Sequence, residues 1–274
     1  MSAVHARTLR LGPVVQAYPS AMDEPIVAVH DAGAHVALVE LCRPPDNFFS
    51  LDMIAGLADA LEELDAAGSA RAVVLAAQGK HFCAGADFSG GVAPYTTDEL
   101  YAAAVRLFRT RLPIVAAVQG AAIGGGLGLA LAADFRIAAP EARFSANFAR
   151  LGFHQGFGLS VTLPALVGQQ RAAELLYTGR RVGGDEAVAM GLADRIAPLS
   201  DVRAAAVTFA AEIAASAPLA VASIRATLRG DLADRVAAAT VREASEQARL
   251  RATNDFAEGA RAMAQRRTPD FTGT

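Results

Sequence analysis

Cysteine and lysine are both scarce in this 274-residue chain. Cys42 and Cys83 are its only thiols, so neither a disulfide framework nor a four-cysteine zinc site can be assembled. His30, His35 and His81 have no metal-ligand spacing with carboxylates or cysteines, and no metal is expected. Lys80 is the one lysine among 25 basic residues, a bias of composition rather than a sign of mechanism. An excess of one charge is also lacking, because 28 acidic residues leave a formal net charge of −3. That balance gives no global electrostatic case for nucleic acid or a membrane surface. No run approaches the roughly 18 uninterrupted apolar residues of a membrane span. The N-terminus lacks the compact basic, apolar and small-residue order of a signal peptide, and a soluble cytoplasmic protein is the expectation. A G-x-S-x-G elbow and a G-x-x-x-x-G-K-[ST] phosphate loop are absent. Gly124 through Gly128 does not complete G-x-G-x-x-G, because position 129 is Leu129, which leaves a dinucleotide fold without support.

What is present is apolar and periodic. Hydrophobic residues make up 53% of the chain, enough for one large domain or one domain plus an appendage. Residues 1–24, with Pro13 and Pro19 and no clear period, are expected to form an arm or stay partly disordered. Ile26–Val29 and Val36–Leu41 read as paired strands. Leu51, Ile54, Leu57, Leu61 and Leu64 share one helical face, with Ser50 as N-cap and Gly68 as stop. Ala72–Ala76 reads as a buried strand. Thr96 and Glu99 form a capping-box pattern for a helix through Thr110, and Ile114–Val118 is a strand. A helix from Gly126 and a strand around Phe135–Ala138 follow. Right-handed crossovers would wind such units into a layered α/β coil. Helices dominate beyond Gly156: Pro164 bends or breaks the first, one covers Gln170–Thr178, and one covers Val202–Ala215 with Asp201 or Ser200 as cap. Another starts at Pro218, and one long helix is predicted over Ala233–Gln265. The spacing divides the chain into an arm (1–24), a core (25–200) and a helical region (201–274).

Two glycine-bearing runs carry the chemistry. His81-Phe82-Cys83-Ala84-Gly85-Ala86-Asp87 and Ala121-Ala122-Ile123-Gly124-Gly125-Gly126-Leu127-Gly128 each follow a β-branched apolar segment, and the second opens into a helix. Small residues at such a turn let a ligand approach the backbone closely. A helix N-terminus adds free N–H groups backed by the positive end of the dipole. Two such turns facing each other can hold one carbonyl oxygen between two backbone donors.

These runs resemble the two signature turns of the crotonase superfamily, which contains enoyl-CoA hydratases and isomerases. Arg43-Pro44-Pro45-Asp46-Asn47-Phe48, Asp134-Phe135-Arg136-Ile137-Ala138, Leu175-x-x-Thr178-Gly179, Ala187-x-x-x-Gly191-Leu192 and the tail Arg267-Thr268-Pro269-Asp270-Phe271 match in order and spacing. The resemblance implies an α/β spiral of ββα units with a C-terminal helical oligomerisation region. It implies a homotrimer or dimer of trimers, and an acyl-CoA substrate with no cofactor beyond coenzyme A itself. The N–H groups of Ala86 and Gly125 become the oxyanion donors. Asp46, Asn47 and Phe48 match the segment along the adenine, while Ala84, Asp87 and Phe88 match the stretch around the pantetheine. Gly124, Phe148 and Leu151 join the coenzyme-binding set. A plain capping role for Asp87 stays open beside this.

The chain departs from the family pattern at the acids. Hydratases carry one glutamate shortly after the triple glycine and a second some twenty residues on, to position water and exchange a proton at Cα. Gly128 and Phe148 stand there instead. His154, in the loop Arg150–Gly158, is the one nearby residue with an ordinary pKa close to neutrality. It is a candidate general acid or base, with a hydrogen-bonded structural histidine as the alternative. Phe148, Phe153 and Phe157 suggest an apolar acyl pocket. Two functions remain open: a CoA-thioester lyase or isomerase without the two-glutamate scheme, hydrolysis and decarboxylation included, or a catalytically silent acyl-CoA binder.

Overall fold

The computed structural model describes residues 13–19, 25–87 and 94–274. In chain order the strands and helices begin with β1 (Val14–Pro19), β2 (Pro25–Asp31), β3 (Val36–Leu41), α1 (Leu51–Ala67), β4 (Ala72–Ala77) and α2 (Thr97–Arg109). Next come β5 (Ile114–Val118), β6 (Ala121–Ile123), α3 (Gly125–Ala132), β7 (Phe135–Ala138) and β8 (Arg143–Ser145). A 3₁₀ turn over Asn147–Leu151 leads into α4 (Leu159–Val167), α5 (Gln169–Thr178), β9 (Val182–Gly183), α6 (Gly184–Ala189) and β10 (Arg195–Ile196). The chain closes with α7 (Val202–Ala214), α8 (Pro218–Arg229), α9 (Leu232–Arg251) and α10 (Asn254–Ala264).

The main sheet has the order β1-β2-β3-β4-β5-β7-β10, and a small second sheet has the order β6-β8-β9. β1 and β2 pair antiparallel, as do β2 and β3, after which β3-β4-β5-β7-β10 run parallel. Parallel strands need crossovers, which put helices on the sheet faces and make the strands apolar on both sides. β4 and β5 obey this with every residue apolar and buried, and β3 does so apart from its buried Glu40. Val36, Leu38, Val74 and Val115 face α7 through its Val202, Ala206 and Ala210. Val39, Val73, Leu75 and Ile114 face the larger core built with α1 and α2. The two faces therefore belong to different helices, and the strand period of two assigns each side chain.

Local signals decide the helix ends. The Ser50 hydroxyl accepts from the Met53 N–H, and Gly68 ends α1 in the left-handed region with φ of 65°. At α2 the Thr96–Glu99 box is complete in both directions. Val14–Pro19, within the segment expected to be an extended arm or partly disordered, is a strand paired with β2; apart from Pro13, the remainder of that segment lies outside the described residues. Two expectations need correction. Pro164, the sixth residue of α4, does not break the helix; its missing N–H costs the helix one hydrogen bond. The long C-terminal helix is two helices. The chain breaks after Arg251, and the Thr253 hydroxyl caps the second by accepting from Phe256 N–H.

Candidate active site

The two glycine-bearing turns meet through one parallel bridge, Cys83 opposite Ala122. Cys83 N–H donates to Ala121 O at 2.9 Å, and Ile123 N–H donates to Cys83 O at 3.1 Å. From that pair, three residues onward on each chain lead to Ala86 and Gly125. A Cβ on Gly126 would lie 2.1 Å from Cys83 O, so the backbones approach closer than any side chain allows. Gly124, with φ of 56°, turns the second chain directly into α3. Gly125 is thus the first residue of α3, and its N–H belongs to the set that no intrahelical carbonyl can satisfy. Among the described residues, neither Ala86 N–H nor Gly125 N–H donates to a protein acceptor. Both amides line a cavity of about 1210 Å³.

One side of the cavity carries Arg43, Phe48 and His81, and the other carries Leu100, Tyr101, Phe153, Gln247, Arg251 and Phe256. Arg43, Arg143, Arg181 and Arg251 all line it, against Asp87 as the one carboxylate in the described lining. An acidic chain thereby focuses positive charge on a single concavity, which suits a polyanionic ligand. His81 Nδ1 accepts from Ala121 N–H at 3.1 Å, while its Nε2 lies 3.6 Å from Asp46. Burial lowers the imidazole pKa more than Asp46 raises it. Cys83 is fully buried beside the bridge, and its thiol is pushed up to about 12 by burial; it fills space and is no nucleophile.

Several of the lining residues are aromatic. Phe148 packs on Phe153 with ring centroids 5.4 Å apart, and Phe153 packs on Phe256 at 5.2 Å. Phe157, with φ of 60°, places its side chain over Gly128, where an added Cβ would lie 2.6 Å from Phe157 Cβ. The volume that a side chain at 128 would claim is already occupied. Position 148 presents a buried ring, so neither position offers a proton acceptor.

Ala84, Asp87, Phe48, Gly124, Phe148 and Leu151 all line the cavity with the two amides. Asn47 does not. It is wholly buried, donating from Nδ2 to the carbonyls of Gln78 and His81 and accepting at Oδ1 from Arg43 N–H, so it braces the loop. Asp46 is half-buried and faces His81. Phe88 lies outside the described residues.

His154 is not in the lining either. Its Nδ1 lies 2.8 Å from Gln155 O. Positive φ at Gly152, Phe157 and Gly158 reverses the chain, so Gly156 and Phe157 face the cavity while the imidazole does not. Glu243 fixes that reversal. It is buried on α9 and accepts from Gly158 N–H at 2.9 Å and Ser160 N–H at 3.0 Å, the free amides at the start of α4.

Tyr101 and Gln247 were not singled out by the sequence. The Tyr101 hydroxyl is hydrogen-bonded by the Phe157 amide and the Gln247 carboxamide, and burial holds its pKa above the ordinary phenol value. Gln247 also donates to His154 O at 2.9 Å. Both read as ordinary positions on amphipathic helices, and only the tertiary crossing of α2 and α9 brings them to the cavity.

The family model for enoyl-CoA hydratase/isomerase matches residues 31–274. The chain is 35% identical over 276 residues to the "Probable enoyl-CoA hydratase" of Mycobacterium bovis, covering 94% of this chain and 96% of that one. Among solved structures it is similar to an enoyl-CoA hydratase/isomerase from Pseudoalteromonas atlantica, with a TM-score of 0.82 and 31% identity, covering 90% of this chain and 100% of the other. An enoyl-CoA hydratase from Mycobacterium avium gives a TM-score of 0.80 at 29% identity, covering 91% and 100%.

Proposed function

We propose, from the premise that this chain belongs to the enoyl-CoA hydratase/isomerase family, that it acts on an acyl-CoA thioester held by its carbonyl oxygen between the N–H groups of Ala86 and Gly125. The observation that carries this is the Cys83–Ala122 bridge, which leads three residues on to two cavity-lining amides without protein acceptors. A thioester oxygen gains negative charge as the Cα proton is lost. Donors already fixed at that position stabilise the charge without reorganising, by on the order of 3–4 kcal/mol each. The dipole of α3 adds to the same end. Coenzyme A enters as part of the substrate, and no further cofactor has a part in the scheme. Arg43, Arg143 and Arg181, which line the cavity, match its phosphate charge.

Classical hydration does not fit the residues present. Gly128 and Phe148 hold no acid, and His154 stands outside the cavity lining. Hydration of crotonyl-CoA is therefore expected at least about a hundredfold below that of a two-glutamate relative, since each acid–base group contributes 10²–10⁴. Loss of enoyl-thioester absorbance measures this, and a rate equal to such a relative would overturn the reading of both positions. The same lack of acids favours a second reading, a catalytically silent acyl-CoA binder. Exchange of the Cα proton of a bound saturated acyl-CoA into deuterated water, followed by NMR, separates the two: exchange supports an enzyme. Calorimetry finding no affinity for acyl-CoA of any chain length would remove both.

Assembly as a homotrimer or dimer of trimers is part of this proposal. Leu219 (86% exposed), Ile224 and Leu228 (82%) leave α8 with an apolar outer face that a second copy would cover. Light scattering is expected to return the mass of three or six chains, and a monomer would count against it.

A further inference from the structure

Resting on the acyl-CoA reading above, we infer that the substrate's acyl group ends in a carboxylate, received by Arg251 and Tyr95 at the α9 end of the cavity. Arg251 lines the cavity from the last turn of α9 and makes no ion pair with any described carboxylate. Its neighbours on that helix behave otherwise, since Arg242 and Arg249 are both paired with Glu246. The Arg251 guanidinium is held over the face of Phe153, 5.7 Å from the ring centroid, and Phe153 is itself fixed against Phe148 and Phe256. Stacking on an aromatic face leaves the N–H edge of a guanidinium free, and that edge matches a carboxylate in two parallel hydrogen bonds.

A second donor lies within its electrostatic reach. The Tyr95 hydroxyl lines the same cavity and takes a hydrogen bond from the Leu51 amide, so its own proton is available to an acceptor. The Arg251 charge is felt at both the Tyr95 and Tyr101 phenols. The Tyr101 oxygen is already occupied by the Phe157 amide and Gln247, whereas among the described residues the Tyr95 hydroxyl has the Leu51 amide alone. Asp52 and Arg43 also act on Tyr95. A purely alkyl acyl end would leave the exposed Arg251 guanidinium to solvent. A carboxylate end pairs it and takes the phenol proton as a second hydrogen bond.

A coenzyme phosphate is the other anion that could pair with Arg251, and the test separates the two. Binding of free coenzyme A and of length-matched thioesters is measured by calorimetry: butyryl- against succinyl-, pentanoyl- against glutaryl-, and hexanoyl- against adipoyl-CoA. At one length at least, the carboxylate form is expected to bind ten or more times tighter than its alkyl partner. Arg251→Gln is expected to bring that ratio to within about twofold while leaving coenzyme A and the alkyl thioesters unchanged. Arg251→Lys should keep part of the preference, and Tyr95→Phe should reduce it several-fold. Unchanged thermal melting would show that the variants fold. The inference is overturned if no carboxylate form binds tighter than its alkyl partner. It is equally overturned if Arg251→Gln weakens free coenzyme A as much as every thioester. If coenzyme A binds and no thioester gains affinity over it, the thioester-site reading fails first and takes this inference with it.

Discussion

Replacing Gly126 with alanine is expected to slow exchange of the Cα proton of bound butyryl-CoA by at least about a hundredfold while the protein still folds. The added Cβ would lie 2.1 Å from Cys83 O and 2.9 Å from Cys83 C. Those atoms are backbone and cannot swing aside as a side-chain tip can. The same carbonyl accepts from Ile123 N–H at 3.1 Å, the bond that holds the two turns together. Alanine must therefore push the turns apart, and overpacking of this kind costs about 1–3 kcal/mol of stability. The larger effect falls on the chemical step, because Ala86 and Gly125 act as a pair only while the bridge sets their spacing. Losing one such donor costs about 10²–10³ in kcat. Gly183→Ala is the control, since its Cβ would meet nothing within 4 Å. Deuterium exchange at Cα of butyryl-CoA and a thermal melt check both parts. A wild-type exchange rate in Gly126→Ala would mean that the bridged turns are not where the thioester sits.

The elements most legible in the sequence are those governed by neighbours along the chain. Ser50 and Gly68 bound α1, and Thr96 with Glu99 starts α2, because a cap is a contact across three or four residues. The strands β4, β5 and β7 were readable as short apolar runs between turn signals. The break between α9 and α10 was not, since Ala252 and Thr253 carry neither glycine nor proline, and the Thr253 cap depends on a hydroxyl that serves equally well inside a helix.

The site divides along the same line. Ala84, Ala86, Gly124 and Gly125 were accessible because close backbone approach demands small residues at fixed spacing. Tyr101, Gln247 and Arg251 reach the cavity only through the packing of α2 against α9, and nothing local marks them. His154 was the natural candidate by residue type, yet orientation in a loop with three positive-φ residues follows from Glu243, more than eighty residues away in sequence.

Asp134→Ala is expected to destabilise the protein by about 3–5 kcal/mol, the cost of breaking a buried ion pair from one side. Asp134 Oδ2 accepts from Arg225 Nε at 2.9 Å and from Ile114 N–H at 2.8 Å, and its Oδ1 accepts from Arg229 Nε at 2.9 Å. The arginines reach further into the core, Arg225 to Thr110 O and Arg229 to Ala132 O. Arg225 Nη2 and Arg229 Nη1 are already buried without hydrogen-bond partners among the described residues. Burial lowers the Arg229 pKa, and Asp134 opposes that shift. Removing the carboxylate leaves two nearly buried cations facing each other and an unpaired strand amide.

The consequence is local because α8 has no buried residue of its own. Its attachment to the sheet runs through these two arginines, so the helix is expected to detach before the sheet melts. Hydrogen exchange should show α8 amides losing protection at a temperature where β3 and β4 keep theirs. Replacing Asp134, Arg225 and Arg229 together with leucine should recover most of the lost stability, because no uncompensated charge is then left behind. Should Asp134→Ala melt within a degree or two of the parent, the ion cluster is not what holds α8 to the sheet.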